Sequence, residues 1–473
     1  MRTIDTQTAL WMAVTFILFP VLALLGITMR TVQAGGLEAM AGWFYPLMTL
    51  HGVGMVGVWY VAAMGCAASV LARHVAPSPL IGRIALAGTV IGVLMLLACV
   101  LLGRFAAGWY FLYPLPLHGE WPLWSAVLFL ASLTVLGATW LVWSLDLLRA
   151  IAARFTLAQA LGWHYLRGQT EPVLPPSLLI VTVSLIAGIA ALVSAVIVIV
   201  LFALELLTGT SSDALLMKNL TFFFGHTLVN LSMYLGVALA YEILPDYAGR
   251  PWKTNPVVVV SWNTVLAIVL LAYLHHLYMD FAQPGGLQYL GQVASYASAL
   301  PAAIVTIFGA LLLVYRAKMR WNLASILLFT GLAGWAIGGI GAVIDSTISA
   351  NTRLHNTLWV PAHFHTYMLA GLVFLIAGYF AHLARPAATA DASPRRDRTI
   401  ALLLVGGAYG FFAMFYLAGA WSIPRRFAAY PAELAHGATT AGIAAAFATL
   451  FLAGFLYYAL DTVRQWRTAT RTD

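Results

Sequence analysis

The sequence predicts an all-α, polytopic membrane protein built as a bundle of twelve transmembrane helices. Of its 473 residues, 62% are hydrophobic and only 8% are charged, and the mean hydropathy is +0.90. Soluble domains do not have this composition. The second observation is that twelve separate apolar runs are each long enough to cross a bilayer as a helix, which takes about 20 residues.

The twelve runs are separated by polar connections and follow one another without an internal repeat. They fall at about 8–29, 40–72, 80–103, 122–146, 175–207, 218–243, 256–281, 288–316, 322–346, 357–384, 399–420 and 434–460. The longest polar connections lie at about 147–174 and 385–398. We therefore expect residues 1–473 to form a single transmembrane domain.

The positive charges are distributed unevenly between the two sides of the predicted bundle. The formal net charge is +8. With both termini on the inner side, all but six of the 24 Lys and Arg residues fall on that side, and the six exceptions are Arg30, Arg104, Lys218, Arg353, Arg425 and Arg426. This asymmetry follows the positive-inside rule. It predicts cytoplasmic termini in a bacterial inner membrane, and it explains the net charge by contact with the lipid bilayer rather than with nucleic acid.

Six histidines within four of the runs are the most informative residues of the chain. They are His51, His226, His275, His276, His363 and His365. An ionisable side chain in the bilayer is unfavourable unless it faces the protein interior and has a partner. In the predicted topology, those on the second, sixth and tenth runs lie roughly 10–17 Å below the outer end. His275 and His276 lie about five residues before the outer end of the seventh run, so all six reach the outer half of the bilayer. Six histidines at one depth predict a layer of metal near the outer face.

The spacing of the histidines separates them into groups. His363 and His365 are two residues apart, about 200° around a helix, so one helix can serve two separate cofactors. His275 and His276 are adjacent, about 100° apart, and can reach one metal together with His226. Three imidazoles with an open position suit copper, and could suit iron or zinc.

At these residues the chain resembles the catalytic subunit of the haem–copper oxidase superfamily. The matching motifs are LHG at Leu50–Gly52, GH at Gly225–His226, HH at His275–His276, HNTLWVPAHFH at His355–His365 and IPRRF at Ile423–Phe427, with a weaker match of LYPL at Leu112–Leu115. These motifs are most similar to those of the B-type (ba3-like) branch. The resemblance covers nearly the whole chain and implies the twelve-transmembrane-helix haem–copper oxidase bundle.

The resemblance also implies a role for each matched residue. His51 and His365 would be the axial ligands of a six-coordinate, low-spin haem, which we expect to be haem b. His363 would be the proximal ligand of a five-coordinate, high-spin haem, and His226, His275 and His276 would hold a copper ion facing it. Arg425 and Arg426 match an arginine pair that meets haem propionates. His355 and Asn351 match positions near the propionates of the high-spin haem, although the B-type pattern has aspartate where Asn351 stands.

The sequence departs from the oxidase pattern at the tyrosine of the dinuclear site. The A- and B-type oxidases carry a cross-linked tyrosine four residues after the first metal histidine, where this chain has Asn230. The cbb3-like oxidases take a tyrosine from the seventh span, where this chain has Val269. Tyr234 and Tyr273 are nearby in sequence but at different helical angles, so we expect neither to replace it.

This departure predicts nitric oxide reduction rather than oxygen reduction. Splitting O₂ in one step takes four electrons at the site, of which the tyrosine gives one, whereas reducing two NO to N₂O takes two. The resemblance is then to the sNOR-type nitric oxide reductases, in which asparagine stands at this site and its amide can bond a bound gas or water. The alternatives are an O₂-reducing terminal oxidase and, in another class, a twelve-span transporter.

The surroundings of the three histidines favour copper over iron as the second metal. Cytochrome c-dependent nitric oxide reductases hold a non-haem iron with an added glutamate, and in this sequence no glutamate lies near the three histidines. Cys66 and Cys99 stand alone in apolar runs, so no paired cysteines can hold an electron-accepting copper centre. We therefore expect electrons from a separate membrane-anchored subunit with a copper centre, or from cytochrome c, with quinol as a further option.

Overall fold

The computed structural model describes residues 5–109, 111–280, 282–385 and 394–469. Within these ranges twelve helices are long and apolar enough to cross a membrane, which confirms the predicted fold class. They are α1 (Thr6–Gln33), α2 (Phe44–Leu71), α3 (Pro79–Gly103), α4 (Leu123–Ala152), α5 (Pro176–Thr208), α6 (Ala214–Ala248), α7 (Pro256–Ala272), α8 (Gly286–Val314), α9 (Leu323–Asp345), α10 (Trp359–Ala384), α11 (Pro394–Ala420) and α12 (Ala435–Ala469).

Local sequence signals set several of the helix boundaries. Asp213 precedes α6, and its carboxylate accepts a hydrogen bond from the Leu216 amide at 2.7 Å. Asn255 precedes α7 and accepts from the Val258 amide at 3.0 Å, while Pro256 occupies the first helical position, where its missing N–H is not needed. These caps satisfy backbone donors that a helix leaves unpaired at its N-terminus.

Two helices lie at the centre of the bundle. In the apolar 18-residue stretch of α6 and of α10, 89% of the residues are buried, against 61% or less in the other ten spans. Helices that follow each other along the chain pack in pairs, including α1 with α2, α3 with α4, α5 with α6 and α11 with α12. The two central helices carry His226, His363 and His365, so the fold encloses three of the six histidines in its most shielded part.

The seventh span ends earlier than the sequence predicts. Its regular α-helix stops at Ala272, and residues Tyr273–Leu277 form a tighter 3₁₀ turn. The predicted span continued to residue 281. After His276 the chain turns towards α8, where the Gln288 side chain donates to the Tyr278 carbonyl at 2.7 Å. His275 and His276 therefore lie in the last turn of the span.

Small residues let α9 approach α10 closely. A Cβ atom added at Gly341 would lie 3.0 Å from the Cβ of His363, and one at Gly338 would lie 2.7 Å from the Cα of Tyr367. Glycines commonly allow such close contact between membrane helices. In α10, residues Thr366–Val373 form wider π-helical turns directly after His365, a feature frequent at functional sites.

Candidate metal centres

His51 on α2 and His365 on α10 face each other as an imidazole pair. Their ring centres are 6.4 Å apart and the ring planes differ by 23°. The Nδ1 atom of His51 donates to the Leu22 carbonyl at 2.8 Å, and Nδ1 of His365 donates to the Pro361 carbonyl at 2.7 Å. Because a carbonyl only accepts, Nδ1 carries the proton in both rings, and Nε2 is left with a lone pair for a metal.

The spacing of the imidazole pair fits one metal ion between the rings. Two bonds of about 2 Å to a central ion, with roughly 1 Å from each nitrogen to its ring centre, together span about 6 Å. The observed 6.4 Å agrees with this length. Two imidazoles that face each other at this spacing fit the ligand pair of a bis-histidine haem.

His226, His275 and His276 form a three-histidine cluster about the end of α7. One ligand nitrogen from each lies within 4.8 Å of the others, and Nδ1 of His226 is 3.2 Å from Nε2 of His276. Among the described residues this is the group of histidine, cysteine or carboxylate side chains that could hold a metal. Three imidazole nitrogens leave further coordination positions open for a small ligand.

A serine determines which nitrogen of His275 faces the cluster. Nδ1 of His275 lies 2.9 Å from Oγ of Ser295, and that hydroxyl donates to the Gly291 carbonyl at 2.6 Å. Since its proton is used on the carbonyl, the Ser295 oxygen accepts from His275 Nδ1. Nε2 of His275 therefore has the free lone pair. The His276 ring is covered on one face by Phe222, with centres 4.9 Å apart.

His363 lies close to the three-histidine cluster without joining it. It is near enough to interact electrostatically with His226, His275 and His276. It lies on α10, two residues before His365, so α10 carries a member of the imidazole pair and a histidine next to the cluster. The division of this helix between two cofactors stays a prediction.

Asn230 contacts the three-histidine cluster through His226. Its amide nitrogen lies 3.2 Å from Nε2 of His226 and donates to the His226 backbone carbonyl at 2.9 Å. Its amide oxygen accepts a hydrogen bond from the hydroxyl of Tyr367 at 2.9 Å. Asn230 therefore joins His226 on α6 to a tyrosine on α10.

Tyr367 is a residue that the sequence reasoning missed. It follows His363 by four positions, which places both on one face of a helix, and this spacing was the available signal. The sequence prediction concerned only the tyrosines near His226 and the His275–His276 pair, which are Tyr234 and Tyr273. Of these, Tyr234 packs between Trp262 and Trp335, and Tyr273 donates to Asn219 at 3.2 Å.

Arg425 and Arg426 lie in a loop fixed against the start of α10. Pro424 pairs with Thr357 in an isolated β-bridge, and the Arg425 side chain donates to Asn356 Oδ1 at 2.9 Å. Burial lowers the pKa of each arginine to about 10, and for Arg425 the nearby Asp345 opposes that shift. Both remain cationic at neutral pH, so they suit an anionic group such as a carboxylate.

Asn351 and His355 lie on the same side of the molecule. Asn351 is buried, and its amide donates to the Asp345 backbone carbonyl at 2.8 Å, while its Oδ1 atom has no hydrogen-bond partner. Burial lowers the pKa of His355, and the charges of Arg425 and Lys218 add to the effect. The charge of Asp280 opposes this shift, and the net direction favours the neutral form of His355.

Arg30 near the end of α1 is a second residue that the sequence reasoning missed. Its guanidinium lies 3.9 Å from the ring centre of Phe415, whose ring lies 5.5 Å from that of His365. Arg30 is thus a cation beside the imidazole pair. In the sequence it appeared only as one of the outer-side charges, because nothing local ties it to His365.

An apolar cavity of about 380 Å³ extends from α1–α4 towards α6. Gly225 and Leu228 are part of its lining and flank His226 in the chain. Its wall is almost entirely hydrocarbon, and it also includes Trp109 and Trp140. A small uncharged molecule can occupy such a space without losing hydrogen bonds to water.

A twelve-helix membrane bundle with an imidazole pair and a three-histidine cluster is the arrangement expected of a metal-dependent membrane oxidoreductase. The sequence profile of the family described as cytochrome c and quinol oxidase polypeptide I matches residues 7–455. The chain belongs to this family, that of the haem–copper oxidase subunit I. The family assignment excludes the transporter alternative.

Named relatives and a solved structure are consistent with this assignment. Cytochrome c oxidase subunit 1 of Synechocystis sp. is 24% identical over 82% of this chain and 70% of its own. The subunit of the same name from Thermus thermophilus is 25% identical over 83% of this chain and 70% of its own. A cryo-EM structure of a dimeric heme–copper terminal oxidase has a TM-score of 0.77 at 22% identity, covering 98% of this chain and 84% of that one.

Proposed function

We propose that this chain is the catalytic subunit of a respiratory nitric oxide reductase of the sNOR-like branch. The reaction is 2 NO + 2 e⁻ + 2 H⁺ → N₂O + H₂O. The observation that carries the proposal is Asn230, whose amide nitrogen lies 3.2 Å from Nε2 of His226. An asparagine occupies the position at which the resembled oxidases carry a redox-active tyrosine.

Each histidine has one role in this proposal. His51 and His365 hold a low-spin haem, and His363 holds a high-spin haem. His226, His275 and His276 hold copper beside the high-spin haem. When bound, these groups would supply one-electron redox chemistry and an open position for the gas. The 6.4 Å spacing of the imidazole pair and the nitrogen geometry of the three-histidine cluster support the assignment.

The electron requirement distinguishes the two gases. Two NO molecules need two electrons and two protons, and two metals suffice for them. One O₂ needs four electrons for complete reduction, and an amide cannot donate one. Asn230 can instead hydrogen-bond polar groups at the site, because an amide carries both donors and an acceptor.

Copper suits the second site better than non-haem iron. The group that could hold the ion consists of three histidines, and among the described residues no carboxylate belongs to it. Imidazole ligands suit copper, whereas carboxylate oxygen in the ligand set is typical of non-haem iron sites. In this proposal the haem propionates are met by Arg425, Arg426, His355 and Asn351.

The surroundings of the site suggest its partners and orientation. The apolar cavity next to Gly225 suits the passage of NO or O₂. The charge asymmetry favours cytoplasmic termini, and in a bacterial cytoplasmic membrane the metal layer then lies towards the periplasm. Electrons then come from a membrane-anchored copper subunit or from cytochrome c on that side.

The test compares both gases on the purified protein in vesicles, with Asn230→Ala and Asn230→Tyr alongside it. We expect one N₂O for every two NO, and O₂ consumption at least tenfold slower, about 1.4 kcal/mol in activation free energy. Asn230→Ala should lower NO turnover by on the order of tenfold, as loss of a residue bonded to a metal ligand commonly does. Unchanged rates on both gases in both variants would remove Asn230 from the mechanism.

One observation favours O₂ reduction as a second candidate. A phenol can give an electron together with a proton, and the Tyr367 hydroxyl lies 2.9 Å from the Asn230 amide. The names of the relatives point the same way. Rapid O₂ consumption by the unaltered protein that is lost in Tyr367→Phe, without N₂O formation from NO, would establish this candidate in place of the first.

A further inference from the structure

Tyr367 connects the two central helices, α6 and α10, next to the three-histidine cluster. Its side chain is buried on α10, and its hydroxyl donates to Oδ1 of Asn230 on α6 at 2.9 Å. The two residues are 137 positions apart in the chain. The bond is therefore a tertiary contact that depends on the packing of α6 against α10.

The directions of the hydrogen bonds around Asn230 follow from its partners. The His226 backbone carbonyl is an acceptor only, so the atom that faces it at 2.9 Å is the amide nitrogen. The amide oxygen therefore points to Tyr367, which has to donate its proton to it. The same amide nitrogen lies 3.2 Å from Nε2 of His226.

His226 presents its two nitrogens to different partners. Nδ1 is directed at the cluster, 3.2 Å from Nε2 of His276. Nε2 is directed at Asn230. The amide N–H can only donate, so Nε2 of His226 accepts from Asn230. A group that holds the Asn230 side chain in place therefore limits the rotation of the His226 ring.

The backbone of α10 holds Tyr367 in position. The π-helical turns begin at Thr366, and Gly338 of α9 lets the Tyr367 backbone approach so closely that a Cβ there would lie 2.7 Å from its Cα. The side chain of Trp335 also contacts the Tyr367 hydroxyl. A tyrosine fixed from three sides has little freedom to give up its bond to Asn230.

We propose that Tyr367 is a positioning residue of the dinuclear site, which acts through Asn230 on His226. The hydroxyl donates to the amide oxygen and the amide N–H donates to the imidazole, so one hydrogen-bonded series runs from α10 to His226 in the three-histidine cluster. The inference rests on the proposed function only in that His226 binds the second metal, and it holds for either gas. These two hydrogen bonds give the His226 ring one fixed orientation.

The test uses carbon monoxide as a probe of the copper. In the reduced protein at low temperature, light moves CO from the high-spin haem to copper, and its infrared stretching band reports the ligand environment. We expect one narrow band in the unaltered protein. In Tyr367→Phe the Asn230 side chain loses its anchor, so the band should shift or split, while kcat falls about tenfold at nearly unchanged KM.

A matched control is available on the same helix. Tyr379 is fully buried on α10, its hydroxyl bonds Ser69 at 3.0 Å, and it lies roughly 18 Å further along the helix axis. Tyr379→Phe removes a similar buried bond and should leave the CO band unchanged. The haem spectra of both variants confirm that they have folded.

A double-mutant cycle separates an effect through Asn230 from a general one. If Tyr367 acts through Asn230, the Tyr367→Phe/Asn230→Ala protein should match Asn230→Ala in both band position and kcat, because the second change removes a bond already lost. An unshifted band in Tyr367→Phe, or effects of the two changes that simply add, would overturn the proposal. Because the band is measured without turnover, this result is independent of whether the protein reduces NO or O₂.

Discussion

The rings of the imidazole pair and those of the three-histidine cluster have different kinds of hydrogen-bond partner. His51 and His365 each donate Nδ1–H to a backbone carbonyl, those of Leu22 and Pro361. In the cluster, His275 is held by the Ser295 hydroxyl and His226 contacts the Asn230 amide. Backbone partners fix one pair of rings, and side-chain partners fix the other group.

This difference suits the two proposed functions, which are electron transfer at the imidazole pair and gas binding at the three-histidine cluster. Two opposed rings would leave a metal held between them no open position, so this pair would suit electron transfer rather than substrate binding. Three nitrogens on one side of an ion leave positions open. Side-chain partners can also be replaced one at a time, so the chemistry of the cluster can be changed without altering the backbone that holds it.

Removing a ligand from each site should give the largest effects and should separate the two sites. His365→Ala is expected to abolish the low-spin haem spectrum and lower turnover more than about 100-fold, beyond the range for partners of ligands. His276→Ala should retain both haem spectra and lose copper, with a similar loss of turnover. Optical spectra and copper analysis check this. If His276→Ala lost the low-spin haem and kept copper, the assignment of the two sites would be reversed.

A smaller effect is expected from removing the side-chain partner of His275. Ser295→Ala takes away the acceptor for Nδ1–H, so the ring can turn and the copper affinity should fall about 10- to 100-fold. Competition with a copper chelator measures the affinity. Ser298→Ala is the matched control, since Ser298 is buried on α8 and its hydroxyl donates to the Ser295 backbone carbonyl at 3.0 Å. Equal copper retention in both variants would speak against the assigned role of Ser295.

The smallest of the three effects should follow from crowding the imidazole pair. A Cβ at Gly26 would lie 2.7 Å from Cε1 of His51, so Gly26→Ala has to tilt that ring against its bond to Leu22. Overpacking of this kind costs about 1–3 kcal/mol. We expect a shifted low-spin haem band and normal copper content. Gly137→Ala, where no atom lies within 4 Å of the added Cβ, should show neither change, and an unshifted band in Gly26→Ala would contradict the geometry.

The sequence predicted the helical frame because hydropathy and length alone determine where a chain can cross a bilayer. The twelve spans and the placement of the six histidines on four of them follow directly from that pattern. The histidine groups were also predictable, since spacing along a helix gives the angle between side chains. His363 and His365 illustrate this, two residues apart and directed to different sites.

What the sequence did not predict depends on contacts between distant segments. Tyr367 meets Asn230 only because glycines of α9 let α10 pack closely and because its backbone widens after His365. Arg30 reaches the imidazole pair through Phe415, 385 positions further along the chain by sequence number. The 3₁₀ turn at Tyr273–Leu277 has no clear signal in hydropathy, because the apolar run continues past it.

The measurement that tests the central claim most directly is the metal content of the purified protein, with its reduced-minus-oxidised absorption spectrum. Our account predicts two haem irons and one copper for each chain, and a low-spin haem band that disappears in His365→Ala. Colourless, iron-free material from a correctly folded preparation would contradict it.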